Sequence, residues 1–311
     1  MSSPLDVVGL GYCVHDILAI APRVPEFDDV HMVHLADLVH DGGGQVGTAL
    51  TALARLGART GYIGVLGEDR EGRWLRDQFD CERVDVTRLR IDRRAGTNVC
   101  LILVDQATAR RSILCHPRVE ATALVLDAAD RTYIQSARAL HLDGQFMHAA
   151  IQAAGWAKAA GVKVCFDGNH PRLGVEELLP LVDWLVVAEP FPAACTGISE
   201  PARAARALLA QGPELLVVTL GARGCQVWTA GSQEAGLHIP GFAVDAIDTT
   251  GAGDAFHGGF LYAMLQDWDL ARVALFANAV AAINCQTLGG RRGLPTRSEV
   301  EALLADRDRS R

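Results

Sequence analysis

The chain has 311 residues, of which 50% are hydrophobic, and its formal net charge at neutral pH is −8. This length suffices for one large domain or two small ones, and the lack of any long basic stretch argues against nucleic acid or an anionic membrane as the main partner. No apolar run reaches the roughly 20 residues that span a bilayer, and the first residues lack a secretory signal pattern. We therefore expect a soluble, cytoplasmic protein.

Short apolar runs alternate along the chain with segments of helical period, which is typical of βαβ units and of a mostly parallel sheet with helices on both faces. The strands predicted in chain order cover residues 6–11, 61–67, 139–142, 163–167, 184–188 and 215–220. The predicted helices cover residues 46–56, 149–160, 201–210, 254–266 and 270–288. Three of them are followed by a glycine, a common C-terminal cap: Gly57, Gly161 and Gly212.

Two stretches interrupt this alternation. Residues 12–40 show no helical period, and residues 97–116 are predicted to form a β-hairpin around 106–110. We expect both stretches to build a small separate sheet on a single α/β domain that spans residues 1–311.

The eight cysteines form no Cys-x-x-Cys pair, and most of them lie inside apolar runs. This pattern is typical of reduced, buried packing residues in a cytosolic protein. The spacing of His31, His34 and His40 matches no pattern of metal ligands. We expect these three histidines to be solvated or packed.

Residues 248–254, Asp-Thr-Thr-Gly-Ala-Gly-Asp, lead directly into a predicted helix and are the most informative segment. The first N–H groups of that helix, from 251 to 254, have no partner inside the helix and favour an anion such as phosphate. The Asp254 carboxylate lies at the same helix end, where it can accept a proton from a hydroxyl that attacks the anion. These are the parts of a phosphoryl-transfer site, in which the small sheet would act as a lid that excludes water. A plain turn with an aspartate near the N-cap is the alternative.

Two further glycine clusters are candidate binding loops. Residues 42–44 are three successive glycines that allow close approach of a ligand, and Thr48 could hydrogen-bond a hydroxyl; a flexible loop is the alternative. Residues 217–225 are an apolar strand that breaks into a Gly-x-x-Gly turn, at the strand end where open parallel sheets bind ligands. The sequence contains neither the dinucleotide-binding fingerprint nor a P-loop.

Taken in order, these segments resemble the ribokinase-like carbohydrate kinases of the PfkB family, over about residues 5–304. The C-terminal signature of that family is matched by 248–254 and by Ala-Phe-His-Gly-Gly-Phe at 255–260. The N-terminal signature is matched by the glycines at 43–44 and by Gly-Val-Leu-Gly-Glu-Asp-Arg-Glu-Gly at 64–72. The resemblance implies a ribokinase-like α/β fold with a β-sheet lid, and ATP-dependent phosphorylation of a sugar hydroxyl.

The resemblance also implies roles for individual residues. Asp254 would be the catalytic base, and the backbone of Gly251, Ala252 and Gly253 would form the anion hole. The sugar would lie against Gly43 and Gly44 and near Asp16, although a carboxylate at position 16 that simply faces water is the alternative.

On the nucleotide side, the resemblance implies contacts from six residues: Thr219, Gly221, Gly224, Asn278, Glu189 and Asn169. Asn169 belongs to an Asp-x-Asn-x-x-Arg run at 167–172, for which a helix-capping loop is the alternative. Mg²⁺ would arrive with ATP and be held mainly by phosphates and water. Asp248 and the carbonyl of Thr250 resemble part of a monovalent-cation site, for K⁺, in some relatives.

Two departures from the family pattern bear on the substrate. Thr48 stands where the ribokinase pattern has an asparagine that contacts the sugar, which argues against ribose as the specific substrate. The Asn-x-x-Glu motif should fall at 188–191, where Glu189 is the one carboxylate. Relatives such as ketohexokinase and sulfofructose kinase deviate at the same points, so loss of activity does not follow.

The expected substrate is a monosaccharide, with a ketose or related neutral sugar preferred. Arg111, in the lid hairpin, could contact a carboxylate, sulfonate or phosphate of a substrate, or be solvated. A sugar acid similar to 2-keto-3-deoxygluconate, a sulfosugar or a nucleoside is therefore the alternative. A non-catalytic binding protein is not favoured, since Asp254 and its glycines are intact. An open edge of the lid sheet would favour aggregation, so we expect a homodimer through the lid.

Overall fold

The computed structural model describes residues 4–23, 32–108, 110–232 and 235–309. Part of the predicted lid, 24–31, lies outside the described residues and includes His31. No helix in the four described ranges combines the length and the apolar character needed to cross a membrane.

The described residues form thirteen β-strands and ten α-helices. The strands are β1 (Val7–Leu10), β2 (Val14–Ala21), β3 (Asp37–Gly43), β4 (Thr60–Gly67), β5 (Asp85–Asp92), β6 (Val99–Asp105), β7 (Arg111–His116), β8 (Ala139–Leu142), β9 (Lys163–Gly168), β10 (Trp184–Ala188), β11 (Leu215–Thr219), β12 (Cys225–Thr229) and β13 (Leu237–Ile239). The helices are α1 (Gln45–Leu56), α2 (Arg70–Cys81), α3 (Ala128–Gln135), α4 (Met147–Ala159), α5 (Val175–Leu178), α6 (Phe191–Thr196), α7 (Pro201–Leu209), α8 (Ala252–Met264), α9 (Leu270–Asn284) and α10 (Arg297–Arg309).

The main sheet has the strand order β13-β12-β11-β10-β9-β8-β1-β4-β5, counting the strands of the described residues. The seven strands β11, β10, β9, β8, β1, β4 and β5 each run parallel to their neighbours in this order. Strands β12 and β13 extend the β11 edge of the sheet in antiparallel pairing. The prediction of a mostly parallel sheet is confirmed. Its parallel strands end at one edge, where ligands of such sheets bind.

Each face of the main sheet carries its own hydrophobic layer. Helices α1, α8 and α9 cover one face, where Phe256 and Phe260 are buried. Helices α3, α4 and α7 cover the other, where Ala153 and Leu208 are buried. The sequence predicted one buried face for α8, but residues from 255 to 263 are buried on all sides because α1 and α9 pack against it.

The second sheet has the strand order β3-β2-β6-β7 in the described part of the chain. The antiparallel pair β6–β7 confirms the hairpin predicted at 97–116. Strands β2 and β3 lie in the segment without helical period, and β3 continues to Gly43, beyond the predicted boundary at residue 40. We call these four strands the lid.

Asp69 connects the lid to the main sheet. Its carboxylate caps α2 by accepting the Gly72 N–H (2.9 Å), and it also accepts the N–H (2.7 Å) and the Oγ1–H (2.6 Å) of Thr97, just before β6. Arg118, just after β7, donates to the same carboxylate (3.2 Å). Although burial opposes it, hydrogen bonding from Thr97 lowers the pKa of Asp69. One ionised side chain therefore holds both ends of the β6–β7 hairpin.

Cys100 on β6 and Cys115 on β7 form a disulfide, so the expectation that every cysteine is reduced is wrong for this pair. Antiparallel pairing places the two residues directly opposite each other, with Cα atoms 4.2 Å apart. Cys81 is exposed at the end of α2. The pairing depends on strand register, which the spacing of cysteines in the sequence does not reveal.

Candidate active site

Two adjoining cavities lie along the carboxyl ends of the parallel strands. The first, of about 620 Å³, lies between these strand ends and the lid. The second, of about 980 Å³, lies between the end of β11, residues 240–246 and helices α8 and α9. Thr219 and Gly253 line both cavities. Two ligands could therefore meet beside these two residues.

The N-terminus of α8 lies at this junction. Gly251 begins the helix with a φ of 71°, a left-handed conformation that favours glycine. Its carbonyl accepts the first helical hydrogen bond, from the Ala255 N–H (2.8 Å). Any Cβ on residue 251 would also come within 2.8 Å of the Gly290 backbone. Both its dihedral angle and its surroundings therefore require glycine here.

The amides of this turn are mostly unengaged. Within the described residues, the N–H groups of Gly251, Gly253 and Asp254 have no hydrogen-bond partner, and the Ala252 N–H donates to the Thr249 carbonyl (3.3 Å). The space where a Cβ of residue 253 would lie contains no atom within 4 Å. An anion could thus reach the positive end of the helix dipole without displacing any described side chain.

Asp248 holds this anion loop in place. Its Oδ1 accepts the N–H (2.9 Å) and the Oγ1–H (2.7 Å) of Thr250, and its Oδ2 accepts the Gly289 N–H (3.0 Å). Asn284 donates to the Thr250 carbonyl (3.4 Å). The loop is therefore preorganised by bonds from α9 and from the segment that follows it.

Asp254 lines the first cavity beside these amides. Removal from bulk water, together with the neighbouring Asp167 carboxylate, raises the pKa of Asp254 to about 7. A base with a pKa near the working pH is well suited to accept a proton in a transition state. Asp254 therefore has the position and the acidity of a general base.

Asp16 lies on the lid side of the first cavity. It is 3% exposed, and its Oδ1 has no hydrogen-bond partner among the described residues. Burial raises the pKa of Asp16 well above its usual range. Gly43 and Gly44 line the same wall, and Gly44 has a φ of 86° with the Tyr12 carbonyl where a Cβ would stand. A buried carboxylate that lacks partners is an acceptor suited to ligand hydroxyls.

Arg291 supports this wall from behind and was not recognised in the sequence. Its buried guanidinium donates to the Gly43 carbonyl (2.7 Å), to Cys13 Sγ (3.2 Å) and to Thr48 Oγ1 (3.4 Å). It also lies over the ring of Phe79, 5.0 Å from the centroid. Thr48 thus faces the cavity and is fixed by a residue 243 positions away. The signal in the sequence was an arginine pair between glycines, at 289–293.

The lid reaches the anion loop through Arg111. Arg111 lines the first cavity, and its Nη1 donates a hydrogen bond to Thr249 Oγ1. Asn169 and Arg172, which follow β9, line the same cavity. Asn169, expected on the nucleotide side, therefore lies in the cavity that the lid covers.

The second cavity contains most of the residues expected on the nucleotide side. Gly221 and Gly224 have φ values of 59° and 89°, and a Cβ at position 224 would collide with the Ile239 carbonyl. Asn278 lines the cavity and donates to that same carbonyl (3.2 Å). Glu189 lines neither cavity; it is exposed and pairs with Arg223, a lining residue, at 2.5 Å.

A group of buried polar side chains lies between α8 and the main sheet. His257, one turn after Asp254, has its Nε2 3.3 Å from Asp167 Oδ1 and its ring 5.3 Å from that of His141. Burial, together with His257, lowers the pKa of His141 to about 3. Burial raises the pKa of the nearby Asp143 to about 7. The sequence suggested no role for His141 or His257, because their proximity depends on how α8 packs on the sheet.

The family model described as pfkB family carbohydrate kinase matches residues 5–297. An ATP-dependent ribose-1-phosphate kinase of Halopiger xanaduensis is 31% identical over 314 residues, which cover 97% of this chain and 98% of the relative. A ribokinase of Haemophilus influenzae is 29% identical over 268 residues, 84% of this chain and 87% of the relative.

A solved structure has the same fold. Arabidopsis thaliana ribokinase, complexed with ribose and ATP, matches with a TM-score of 0.84 and 25% identity, over 97% of this chain and 99% of that one. The likeness extends over both sheets, and the family model covers the anion loop and the glycines at the lid. The chain belongs to the pfkB family and is an ATP-dependent carbohydrate kinase.

Proposed function

We propose that this kinase transfers the γ-phosphoryl group of ATP to a hydroxyl of a monosaccharide held between the lid and the main sheet. The observation that carries the proposal is the junction of the two cavities. There, unengaged amides of Gly251 and Gly253 adjoin the Asp254 carboxylate. An anion on the amides and a hydroxyl on the carboxylate would be placed next to each other for transfer.

The second cavity fits a nucleoside triphosphate. Its wall includes apolar and small side chains such as Val244, Phe256 and Ala282, suited to a base and ribose, and its inner end reaches the amide of Gly253. Asn278 would border the base, and Thr219, Gly221 and Gly224 the phosphates. Mg²⁺ bound to the phosphates would neutralise the charge that develops on them. Glu189 would not touch the nucleotide but would hold the side chain of Arg223, which lines the second cavity, through their ion pair.

The protein's own part in the reaction is positioning and proton transfer. Asp254 would accept the proton of the attacking hydroxyl, while Gly251, Ala252 and Gly253 stabilise the transferred group from the helix end. Asp16 would hold another hydroxyl of the sugar against the backbone of Gly43 and Gly44. The lid would exclude water from the transfer.

Among monosaccharides we propose a ketose or related neutral sugar as the acceptor. Asp16, Thr48 and the backbone at 43–44 are neutral or acidic acceptors of hydroxyl groups, and none of them favours an anionic substituent. Asp254 and Asp167 add further negative charge to the same cavity. These carboxylates support an uncharged substrate.

A sugar bearing a carboxylate, sulfonate or phosphate is the second candidate, and two cations favour it. Arg111 and Arg172 both line the first cavity, where either could bind such a group. The relative from Halopiger xanaduensis is named for a phosphorylated sugar. Arg111 also donates to Thr249, beside the turn at 251–254. The phosphoryl group in transfer would therefore compete with an anionic substituent of the sugar for the Arg111 guanidinium.

A coupled assay of ADP release distinguishes these candidates. The acceptors are ribose, fructose, tagatose, ribose 1-phosphate, 2-keto-3-deoxygluconate, sulfofructose and adenosine, each tested with the wild-type chain and with Arg172→Gln. A neutral ketose should give the highest kcat/KM and be unaffected by the substitution. An anionic acceptor that is preferred, and that loses its preference in Arg172→Gln, would support the second candidate instead. Turnover of an acceptor that is as fast in Asp254→Asn as in the wild-type chain would contradict the proposed chemistry.

The monovalent-cation site is tested separately. Both oxygens of Asp248, and the carbonyl of Thr250, already accept hydrogen bonds from the protein. A K⁺ ion would have to share these oxygens, so we propose that K⁺ modulates the reaction and is not required. The test compares the phosphorylation rate in KCl with the rate in tetramethylammonium chloride at equal ionic strength. Loss of nearly all activity in the absence of K⁺ would refute the proposal.

We propose that the chain is one α/β domain with its lid and that it acts in the cytoplasm, where ATP is available. We also propose that the lid mediates a homodimer. Leu38, Leu101 and Leu114 lie on the lid face opposite the cavity and are 55%, 44% and 63% exposed. Burying this apolar face against a second copy would be favourable. Leu114→Lys should give a monomer by light scattering, whereas Leu173→Lys, at an exposed leucine outside the lid, should not.

A further inference from the structure

Three potential metal ligands lie in the interior behind the start of α8. His141 on β8 and Cys165 on β9 are register partners on adjacent parallel strands, so their side chains project from the same face of the main sheet. His257 on α8 packs against that face. One ligand atom from each of the three lies within 4.8 Å of the others, and all three side chains are buried.

Several polar atoms of this group lack hydrogen-bond partners among the described residues. They are both ring nitrogens of His141, Nδ1 of His257 and Oδ2 of Asp167. An unpaired buried polar atom destabilises a fold, so such atoms are normally satisfied by protein, water or an ion. Four such atoms in one place are available to bound water or to an ion.

The contact that His257 does make fits metal binding. Its Nε2 lies 3.3 Å from Asp167 Oδ1, which favours a proton on Nε2 and leaves the lone pair on Nδ1. Histidines that bind metals typically donate their second ring N–H to a carboxylate in this way. The nitrogen without a partner, Nδ1, is the one that would then be available to a metal.

We propose that His141, Cys165 and His257 bind a zinc ion. A thiolate and two imidazoles are donors that Zn²⁺ prefers, whereas the Mg²⁺ of a nucleotide prefers oxygen. In tetrahedral zinc sites the ligand atoms lie about 3.5 Å apart, so the three donors would have to approach one another by about 1 Å. The fourth position is filled by water.

One of the three donors lies at the wall of the first cavity. His257 and its neighbour Asp167 line this cavity, and His141 and Cys165 lie behind them in the interior, so an ion would approach from the cavity side past His257. The charge is also compatible, because the thiolate and the adjacent Asp167 carboxylate together balance a divalent cation.

The zinc ion would join α8 to strands β8 and β9 one helical turn after Asp254. It would therefore hold the beginning of α8, with the amides at Gly251 and Gly253, against the main sheet. Its role is structural, so its binding is measured without reference to phosphorylation.

The test uses the full chain without an affinity tag, dialysed against EDTA, freed of chelator and titrated with Zn²⁺ in competition with a chromophoric chelator. We expect one zinc ion per chain and a higher melting temperature with zinc. Co²⁺ in place of Zn²⁺ should give a thiolate-to-metal charge-transfer band. A wild-type chain that retains no zinc after desalting, or a cobalt spectrum without that band, would overturn the proposal even if the variants fail to fold.

Matched variants locate the site. Cys165→Ala and His141→Phe should lose stoichiometric zinc binding and the zinc-dependent rise in melting temperature. Cys225→Ala, at another buried and free cysteine, should retain both. Zinc binding that survives Cys165→Ala, or that is lost in Cys81→Ala at an exposed cysteine, would refute this assignment.

Discussion

Gly43 lies so close to Asp16 that the position of a Cβ on residue 43 coincides with the Asp16 carboxylate. The φ of Gly43 is not in the left-handed region, so glycine is required here by contact and not by backbone conformation. Asp16, Gly43 and Gly44 form the wall of the first cavity that we call the acceptor wall, and this wall therefore depends on the absence of a methyl group at residue 43.

Gly43→Ala should displace the Asp16 carboxylate and weaken sugar binding. Misplacing a group in an active site by about 1 Å can reduce rates roughly 100-fold, so we expect KM for the sugar to rise by about 10- to 100-fold. The KM for ATP, whose cavity does not include residue 43, serves as the internal control in the same steady-state measurements. Equal changes in both KM values would contradict this account.

Gly253→Ala should reduce phosphoryl transfer without harming the fold. No atom lies within 4 Å of the added Cβ, and alanine favours a helix by about 1 kcal/mol over glycine. The methyl group would occupy the space that the phosphate needs, so kcat/KM for ATP should fall by about 100-fold, the scale of losing one anion-hole donor. Gly155→Ala, in α4 and equally free of contacts, is the matched control for activity and melting temperature.

The activity should depend on the ionisation of Asp254. Because its pKa is raised to about 7 and the base must be ionised, kcat/KM should rise with pH through this range and fall about tenfold per unit below it. Asp254→Asn should lose about 10²- to 10⁴-fold in kcat, with no such pH dependence in the residual rate. A wild-type profile that is flat from pH 5 to pH 8 would be incompatible with this role.

The same carboxylate should make the protein less stable as pH rises. The pKa of Asp254 is higher in the folded chain (about 7) than the roughly 3.9 of an unfolded aspartate, so the folded state binds more protons between these values. The free energy of unfolding therefore falls as pH rises through this window. Asp254→Asn should be more stable than wild type at pH 8, on the order of 1–3 kcal/mol, with a smaller gap at pH 5. Calorimetry at both pH values checks this, and a variant that is less stable than wild type at pH 8 would contradict it.

Arg291→Lys should loosen the acceptor wall while keeping its charge. Arg291 reaches Thr48 with Nε and Gly43 with Nη2, and a lysine has a single donor nitrogen that does not reproduce this fork. We therefore expect a loss on the order of 1–3 kcal/mol in unfolding free energy and a higher KM for the sugar. Arg292→Lys, at the adjacent exposed arginine, should change neither quantity. Denaturant unfolding and steady-state kinetics on both variants provide the comparison.

Local patterns were sufficient for much of the fold. The strands at 139–142 and 184–188 have the predicted bounds, because short apolar runs between turn residues have few alternatives in an α/β chain. The turn at 251–254 was also predictable, since glycines at 251 and 253 before a helical period combine two local signals. The structure places residues 251–254 at the two cavities, with the Ala252 amide donating to Thr249, and their role in binding an anion stays a prediction.

What the sequence did not predict depends on contacts between distant segments. Arg291 has no distinctive local pattern, and its partners lie more than 240 residues away. The disulfide between Cys100 and Cys115 depends on the register of β6 and β7. His141 and His257 meet only because α8 packs over β8. Each of these contacts depends on how distant elements pair or pack, which local periodicity in the sequence does not encode.

Arg291 also constrains how the protein is made. It follows Gly43 by 248 residues and Cys13 by 278, yet it holds both. During synthesis the N-terminal segments leave the ribosome first and begin to fold without this arginine. A nascent chain can therefore build its strands early, whereas the wall at Cys13 and Gly43 receives its supporting bonds only after residue 291 has been synthesised.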